Sequence, residues 1–507
     1  MMKNPSVYLT IHGHFYQPPR ENAWTGKIEA QSGAAPHHDW NERIYQECYL
    51  PNTEAQILDD QGNLIKTTNN FEKMSFNVGP TLFSWLEKKH PKTYHAIIEA
   101  DKKSIEVHEG HGNAIAQIYN HMIMPLANKR NQITQAKWGI AEFKFRYGRD
   151  PEGMWLPETA CNEDTMEILV DLGIKFTILA PSQADAVKVH HHVDWHNVSS
   201  GIINPRVPYR LFVKPNKWIN VFFYDGTISR DVAFGSLAFE ARMFADRLEH
   251  ATSKGDVHHP ELVHIATDGE TFGHHKAFGE RALAFLMEVE APKRGFKIAN
   301  YGEFLDLYPP RHDVRLARGI DGKGTAWSCS HGLKRWWDHC GCRGDGPAEW
   351  KQAWRKPLRD SLDWLRDELI KLYEDHGNPL LNDVWQARDE YIELILEPKK
   401  QKKFLDRHQT HNLNPSETER AVQLLEMQKF AMLMYTSCGW FFTEISGIET
   451  VQIIQYAARA IEIAREVSGN DLEPEFLNRL ELALSNVPEY KTGRGVYEKL
   501  VKPQASK

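Results

Sequence analysis

The class of this protein is narrowed first by what its sequence lacks. Six of its 507 residues are cysteine (Cys48, Cys161, Cys329, Cys340, Cys342 and Cys438). That is too few for the disulfide framework of a secreted domain. No apolar run is long enough to span a bilayer. The opening MMKNPSVYLTIHGH has no apolar stretch leading to a small-residue cleavage site. A cytoplasmic protein with no membrane partner is therefore expected. The formal net charge of -7 is spread along the chain, with no basic run or stripe, so no nucleic-acid partner is expected. There is no internal repeat.

What is present fits a large soluble protein. Hydrophobic residues make up 41% and charged residues 25%, ordinary values for a globular chain. The length exceeds a usual single domain and allows a sizeable core. Short apolar runs alternate with longer amphipathic stretches. The candidate strands are residues 7–11, 74–78, 104–108, 153–156, 176–180, 220–224 and 262–266. Between them lie helical patterns, such as Met166, Ile168, Leu169 and Leu172 after Asp164. Strand and helix in alternation predict a parallel sheet with both faces covered. Seven such units suggest an α/β fold of the incomplete TIM type, a (β/α)7 barrel over residues 1–310, with an open doubly wound sheet as the competing topology. A Cys-, Gly- and Trp-rich loop over 311–346 and an α-helical domain over 347–507 are expected to follow. In that last region Leu358, Leu362, Leu365, Leu369 and Leu372 form one helical stripe. Asn414, Pro415 and Glu417 read as the capped start of another helix. The tail after Leu500 is expected to fray.

The polar residues cluster at the ends of the candidate strands. His12 and His14 follow the first, and His108, Glu109 and His111 close the third. Glu158 follows the fourth, Asp225 the sixth, and Asp268 and Glu270 the seventh. In a parallel barrel these ends share one face, where active sites are built. His12 and His14, two apart on an extended chain, point to one side; they suit either a metal or a hydrogen-bonded substrate. Glu158 stands just beyond Trp155-Leu156-Pro157, with a helix-start role as its plainer alternative. In Asp268-Gly269-Glu270-Thr271-Phe272-Gly273 the glycines allow close backbone approach or unusual dihedrals. Two carboxylates on one barrel face are what glycosidic bond cleavage requires, and their separation sets retention or inversion.

Taken together, His12, His14, Gln17 and Pro18, then Trp155-Leu156-Pro157-Glu158, then Asp268-Gly269-Glu270 with Phe272 and Gly273, resemble glycoside hydrolase family 57. The resemblance covers about residues 7 to 308. It implies a seven-stranded barrel and a retaining glycoside hydrolase or transglycosylase acting on α-glucans, of the α-amylase or 4-α-glucanotransferase type. Glu158 would be the nucleophile and Asp268 the general acid/base. It implies no cofactor and no obligatory metal. Substrate contacts are expected from His12, His14, Gln17, His111, Asn113, His121, Trp155, Glu270, Trp327 and Trp440.

The sequence also departs from that family. Two extra residues separate His14 from Gln17-Pro18, Asn113 stands where a Glu is usual, and Ser437–Glu444 replaces a clear fifth element. These differences bear on the sugar-recognition shell rather than on the reaction centre. Cys329, His331, His339, Cys340 and Cys342 could supply metal ligands, although their spacing is not that of a common zinc site; alternatively their stretch is a loop closing over the active site, with Trp327, Trp336 and Trp337 contacting sugar. Two other functions compete with the glycosidase. A metal-dependent carbohydrate deacetylase would use His12, His14 and Asp268 as ligands, and a glucan-binding protein would have a dead centre.

Overall fold

A computed structural model describes residues 7–253 and 259–506; residues 1–6, on which part of the leader reading falls, lie outside the described residues. The chain forms two compact units. The first holds the chain up to Gln17, Ala30–Gln117 and Phe143–Arg318. The second holds Pro18–Glu29, Ile118–Glu142 and the chain from Gly319 onward. A single cut at residue 310 is therefore too simple, because two segments from within the first 310 residues group with the C-terminal helices. The expected loop over 311–346 also begins with a strand, His312–Leu316, that belongs to a sheet of the first unit.

The first unit is α/β. Its central strand, Val7–Phe15, is covered on both faces, with Leu9, Ile11 and Phe15 buried on one and Thr10, His12 and His14 on the other. It pairs in parallel with Glu261–Asp268 from Val7 to His14, and with Phe296–Ile298 and Ser75–Val78. From there parallel pairing passes through a Phe76–Ala114 bridge to Ala116–Gln117, then to Met154–Trp155. A Gly153–Phe176 bridge leads on to Phe176–Leu179 and Lys217–Phe223. The amide of Asp225 then donates to the carbonyl of His264, 2.9 Å away.

Two expectations are corrected here. Residues 104–108 are not a strand but the end of the helix Pro91–Val107. Tyr94, Ile97, Ile98, Asp101 and Ser104 fall at helical spacing and are buried, so the short Ile105-Glu106-Val107 alternation is overridden by a longer period. The strand that takes its place is Ala116–Gln117. Nor is the sheet wholly parallel. Tyr209–Lys214 runs antiparallel to Lys217–Phe223, and Ala184–Val189 runs antiparallel to both His312–Leu316 and His196–Asn197.

The second unit is helical. The leucine stripe lies within Arg355–Gly377, with Leu358, Leu362, Leu365 and Leu369 fully buried. The capped helix is Pro415–Leu433. The amide of Glu417 donates to Asn414 Oδ1 (3.0 Å) and the amide of Asn414 donates to Glu417 Oε2 (2.9 Å), so two otherwise orphaned donors are satisfied reciprocally. Both helices pack against Ile448–Ser468, which ends at the left-handed Gly469. The tail does not fray after Leu500; Lys502–Ser506 continues as a helical turn. No helix among the described residues is long and apolar enough to cross a membrane.

Candidate active site

The polar face of Val7–Phe15 builds the floor of the site. His12 and His14 alternate onto it, opposite Ser75 and Asn77 of the neighbouring strand. Asn77 Oδ1 can only accept, so His12 Nε2–H donates to it (3.2 Å), and His12 Nδ1 is left to accept from the Ser75 hydroxyl (3.0 Å). The Asn77 amide nitrogen donates to His14 Nδ1 (2.8 Å) and to Gln117 Oε1 (2.6 Å). His14 is thus held as a neutral imidazole with its proton on Nε2. The indole of Trp155 stacks on both rings, at 4.9 and 5.0 Å. Burial pushes both histidines down to about 3, with the His14 neighbour adding to the effect on His12. Both ring nitrogens of His12 are engaged, which removes it as a metal ligand for the deacetylase reading.

Glu158 lies beyond the short strand Met154–Trp155, in the turn Pro157–Thr159. Its backbone is left-handed (φ 57°, ψ 19°), and so is that of Thr159 (φ 51°). Such a conformation costs on the order of 1 kcal/mol per residue, and is uncommon for a β-branched side chain. The surroundings hold it in place. Gln183, fully buried, accepts from the Thr159 hydroxyl (2.7 Å) and from the Ala180 amide (2.9 Å), and its amide donates to the Thr159 carbonyl (2.8 Å). Strain kept by a dedicated clamp is characteristic of a functional position.

Asp268 ends the strand Glu261–Asp268 in register with His14. Water reaches its side chain, yet protein surrounds it closely enough that burial, with the Glu158 charge second, pushes its carboxyl up to about 7. No described residue is seen to hydrogen-bond its carboxyl. The motif around it is shaped by packing. A Cβ on Gly269 would sit 2.5 Å from the Phe15 ring, and Gly273 adopts φ 135° against the Glu47 carbonyl. Tyr224, just past Lys217–Phe223, feels the Asp268 charge, which adds to burial in raising its hydroxyl.

Other sequence-predicted contacts lie elsewhere. Glu270 is buried and accepts from Gln17 Nε2 (2.8 Å) and the Tyr49 hydroxyl (3.5 Å), so Gln17 and Glu270 brace each other. His111 follows a helix, not a strand, and its Nδ1 meets Glu152 at 2.9 Å, before the start of Met154–Trp155. That is the opposite end of the strand from Glu158. Asn113 is spent on fold-holding bonds with the Phe71 carbonyl (3.2 Å) and Asn300 Nδ2 (3.2 Å), ahead of Ala116–Gln117. Asp225 caps the helix Gly226–Phe234. Trp155 is fully buried between the histidines and offers no surface to a sugar. In the second unit, His121 Nδ1 bonds the Ser437 hydroxyl at 2.6 Å. Trp440 is core, with its indole N–H 3.4 Å from the Arg355 carbonyl, and Trp336 is core as well. Trp327 is half-buried. Trp337 donates to Asp321 (3.1 Å). Sequence reasoning missed Ser75, Asn77, Gln117, Gln183 and Tyr224. Asn77 and Gln117 carried a signal: each is an amide flanked by apolar residues, Phe76 and Val78 for the one and Ala116 and Ile118 for the other.

A family model, Glycosyl hydrolase family 57, matches residues 9–317, and a model described as a domain of unknown function (DUF3536) matches residues 350–507. An α-amylase of Pyrococcus horikoshii is 21% identical over 296 residues, which is 57% of this chain and 40% of that protein. The chain thus spans less than half of that curated relative. Among solved structures, an exo-type maltose-forming amylase from Pyrococcus sp. ST04 shares the fold with a TM-score of 0.71 at 16% identity, over 99% of this chain and 93% of the other. A GH57-type branching enzyme from Pyrococcus horikoshii aligns with a TM-score of 0.55 at 15% identity, over 97% and 96%.

Proposed function

The chain belongs to glycosyl hydrolase family 57, and from that premise we propose that it cleaves or transfers α-glucosidic bonds in starch-like or glycogen-like glucans with retention of configuration. The parallel pairings of the first unit are read as a seven-stranded (β/α)7 barrel, with the reacting groups at the C-terminal ends of its strands. Glu158 attacks the anomeric carbon and forms a glycosyl-enzyme. Asp268 protonates the leaving oxygen, then deprotonates the incoming water or sugar hydroxyl.

The observation that carries this reading is the state of Asp268. A carboxyl pushed up to about 7 by burial and by the Glu158 charge keeps its proton near neutrality, as a general acid must. The substrate class follows the amylase and branching-enzyme names of the relatives. The product profile on maltooligosaccharides, amylose and glycogen separates hydrolysis from transfer. The roles are tested by Glu158→Ala and Asp268→Ala. Asp268→Ala keeps reacting with a glycosyl fluoride, whose leaving group needs no acid, and azide then releases an α-glycosyl azide; Glu158→Ala does neither. Rescue of Glu158→Ala instead reverses the roles, and full activity in both variants ends the proposal.

A further inference from the structure

We propose that Cys329, His331, Cys340 and Cys342 bind one zinc ion in a closed tetrahedral site. The four ligand atoms lie within 4.8 Å of one another. Cys329 Sγ is 4.0 Å from both Cys340 Sγ and Cys342 Sγ, and Cys342 Sγ is 3.4 Å from His331 Nδ1. A zinc tetrahedron with Zn–S of about 2.3 Å and Zn–N of about 2.0 Å has sulfur–sulfur edges of about 3.8 Å and sulfur–nitrogen edges of about 3.5 Å. These three separations match within a few tenths of an ångström, and the remaining ones stay within 4.8 Å. They are too long for a disulfide, and none of the three cysteines is in one. They are too compact for an iron–sulfur cluster, whose ligands sit on different irons.

The spacing, Cys-x-His and Cys-x-Cys with eight residues between them, is why the sequence alone argues against a site. The fold removes the objection. Gly341 adopts φ 79°, a left-handed turn that lets the two flanking sulfurs converge. The Cys342 amide donates to Cys340 Sγ at 3.4 Å. His339, an alternative ligand on sequence grounds, is exposed and outside the group.

A second observation points to the same ion. Arg355 is fully buried, and its partners are Cys340 Sγ (3.7 Å) and the carbonyls of Cys342, Phe441 and Phe442 (3.2–3.3 Å). No carboxylate is among them. A buried cation without a counter-charge is costly. Zinc with three thiolates and one neutral imidazole carries a net charge of minus one, which balances the guanidinium. With four protein ligands the site is structural, not catalytic. It cross-links a stretch whose only described helical element is the turn Lys334–Trp336, and it does not depend on the glycosidase reading.

The test uses the full chain, expressed in zinc-supplemented medium and passed through a chelating column. Elemental analysis should give about one zinc per chain, and X-ray absorption should give a shell of three sulfurs and one nitrogen. Cobalt(II) exchange should produce tetrahedral d–d bands with thiolate charge transfer. His331→Ala and Cys340→Ser should lose most of the zinc, whereas Cys438→Ser should keep it all. If those two variants fail to fold, the wild-type measurements still decide. Metal-free protein, an oxygen-rich six-coordinate shell, iron in place of zinc, or a disulfide among the three cysteines would each overturn the assignment.

Discussion

Replacing Asp268 by asparagine should stabilise the protein at pH 8 and leave its stability unchanged at pH 3. The carboxyl moves from an ordinary 3.8 to about 7 on folding, because the site desolvates it and Glu158 repels its charge. Between those two values the native state keeps a proton that the unfolded chain has released, so stability falls as pH rises through that window. Above about 7 the full cost is present, and below 3.8 there is none. A shift of this size corresponds to about 4 kcal/mol at face value. Water reaches the carboxyl, so screening reduces it, and we expect about 1–2 kcal/mol. For a unit of this size that is a rise in melting temperature of roughly 2–5 °C at pH 8. The assay is differential scanning calorimetry of both proteins at pH 3, 5, 6, 7 and 8, with glucan turnover measured alongside. Wild-type kcat/KM should decline as pH passes about 7, where the free enzyme loses its acid. The variant should lose nearly all turnover while gaining stability. An asparagine variant that is less stable at pH 8, or whose stability difference does not change with pH, would refute the assignment of Asp268 as a strained, protonated acid.

Two further outcomes follow from the positioning groups. Gln183→Ala removes the clamp on the left-handed turn without touching a reacting atom. It should lower kcat about 10- to 100-fold on glucans and activated substrates alike, with KM little changed, because a displaced nucleophile slows both; unchanged kcat in a folded variant removes Gln183 from the mechanism. Asn77→Asp replaces the amide that donates to His14 Nδ1 with a group that can only accept. The His14 proton should move to Nδ1, and nearby charge should raise both histidines by about 1–3 pKa units from their present values of about 3. Ring nitrogen NMR reads both changes, and identical spectra for wild type and variant would contradict the assigned hydrogen bond from Asn77 to His14.

Much of the framework was legible because it rests on local patterns. Buried strands such as Phe176–Leu179 show as apolar runs, and the Asn414-Pro415-x-Glu417 cap shows as residue chemistry at fixed spacing. The third strand failed for a physical reason. Ala116–Gln117 has two residues, too few to show a period, whereas Ile105 to Val107 mimics alternation while riding the end of a helix. That slip carried His111 with it, since a residue closing that run belongs at the strand's far end only if the run is a strand. The membership of 18–29 and 118–142 in the helical unit depends on packing between distant segments, which no local pattern encodes.

The site divides along the same line. Glu158 and Asp268 stand out in the sequence because a carboxylate just past an apolar run is conspicuous, and the roles proposed for them rest on that placement and on their surroundings. The residues that set their state do not. Gln183 acts on Glu158 through the backbone of Thr159, and nothing between residues 159 and 183 announces that contact. Trp155 and Trp440 illustrate the converse error, in which residue type suggests a sugar platform but both indoles are buried. What a side chain can do chemically is written in its identity. Whether it meets substrate or holds another residue in place is decided by burial and partners, and those are properties of the fold. The strained turn at Glu158 and the raised carboxyl of Asp268 argue for one site because they are linked: the turn holds the charge that helps to raise the carboxyl. One is a backbone cost and the other an electrostatic cost, and a structure selected for stability alone would carry neither.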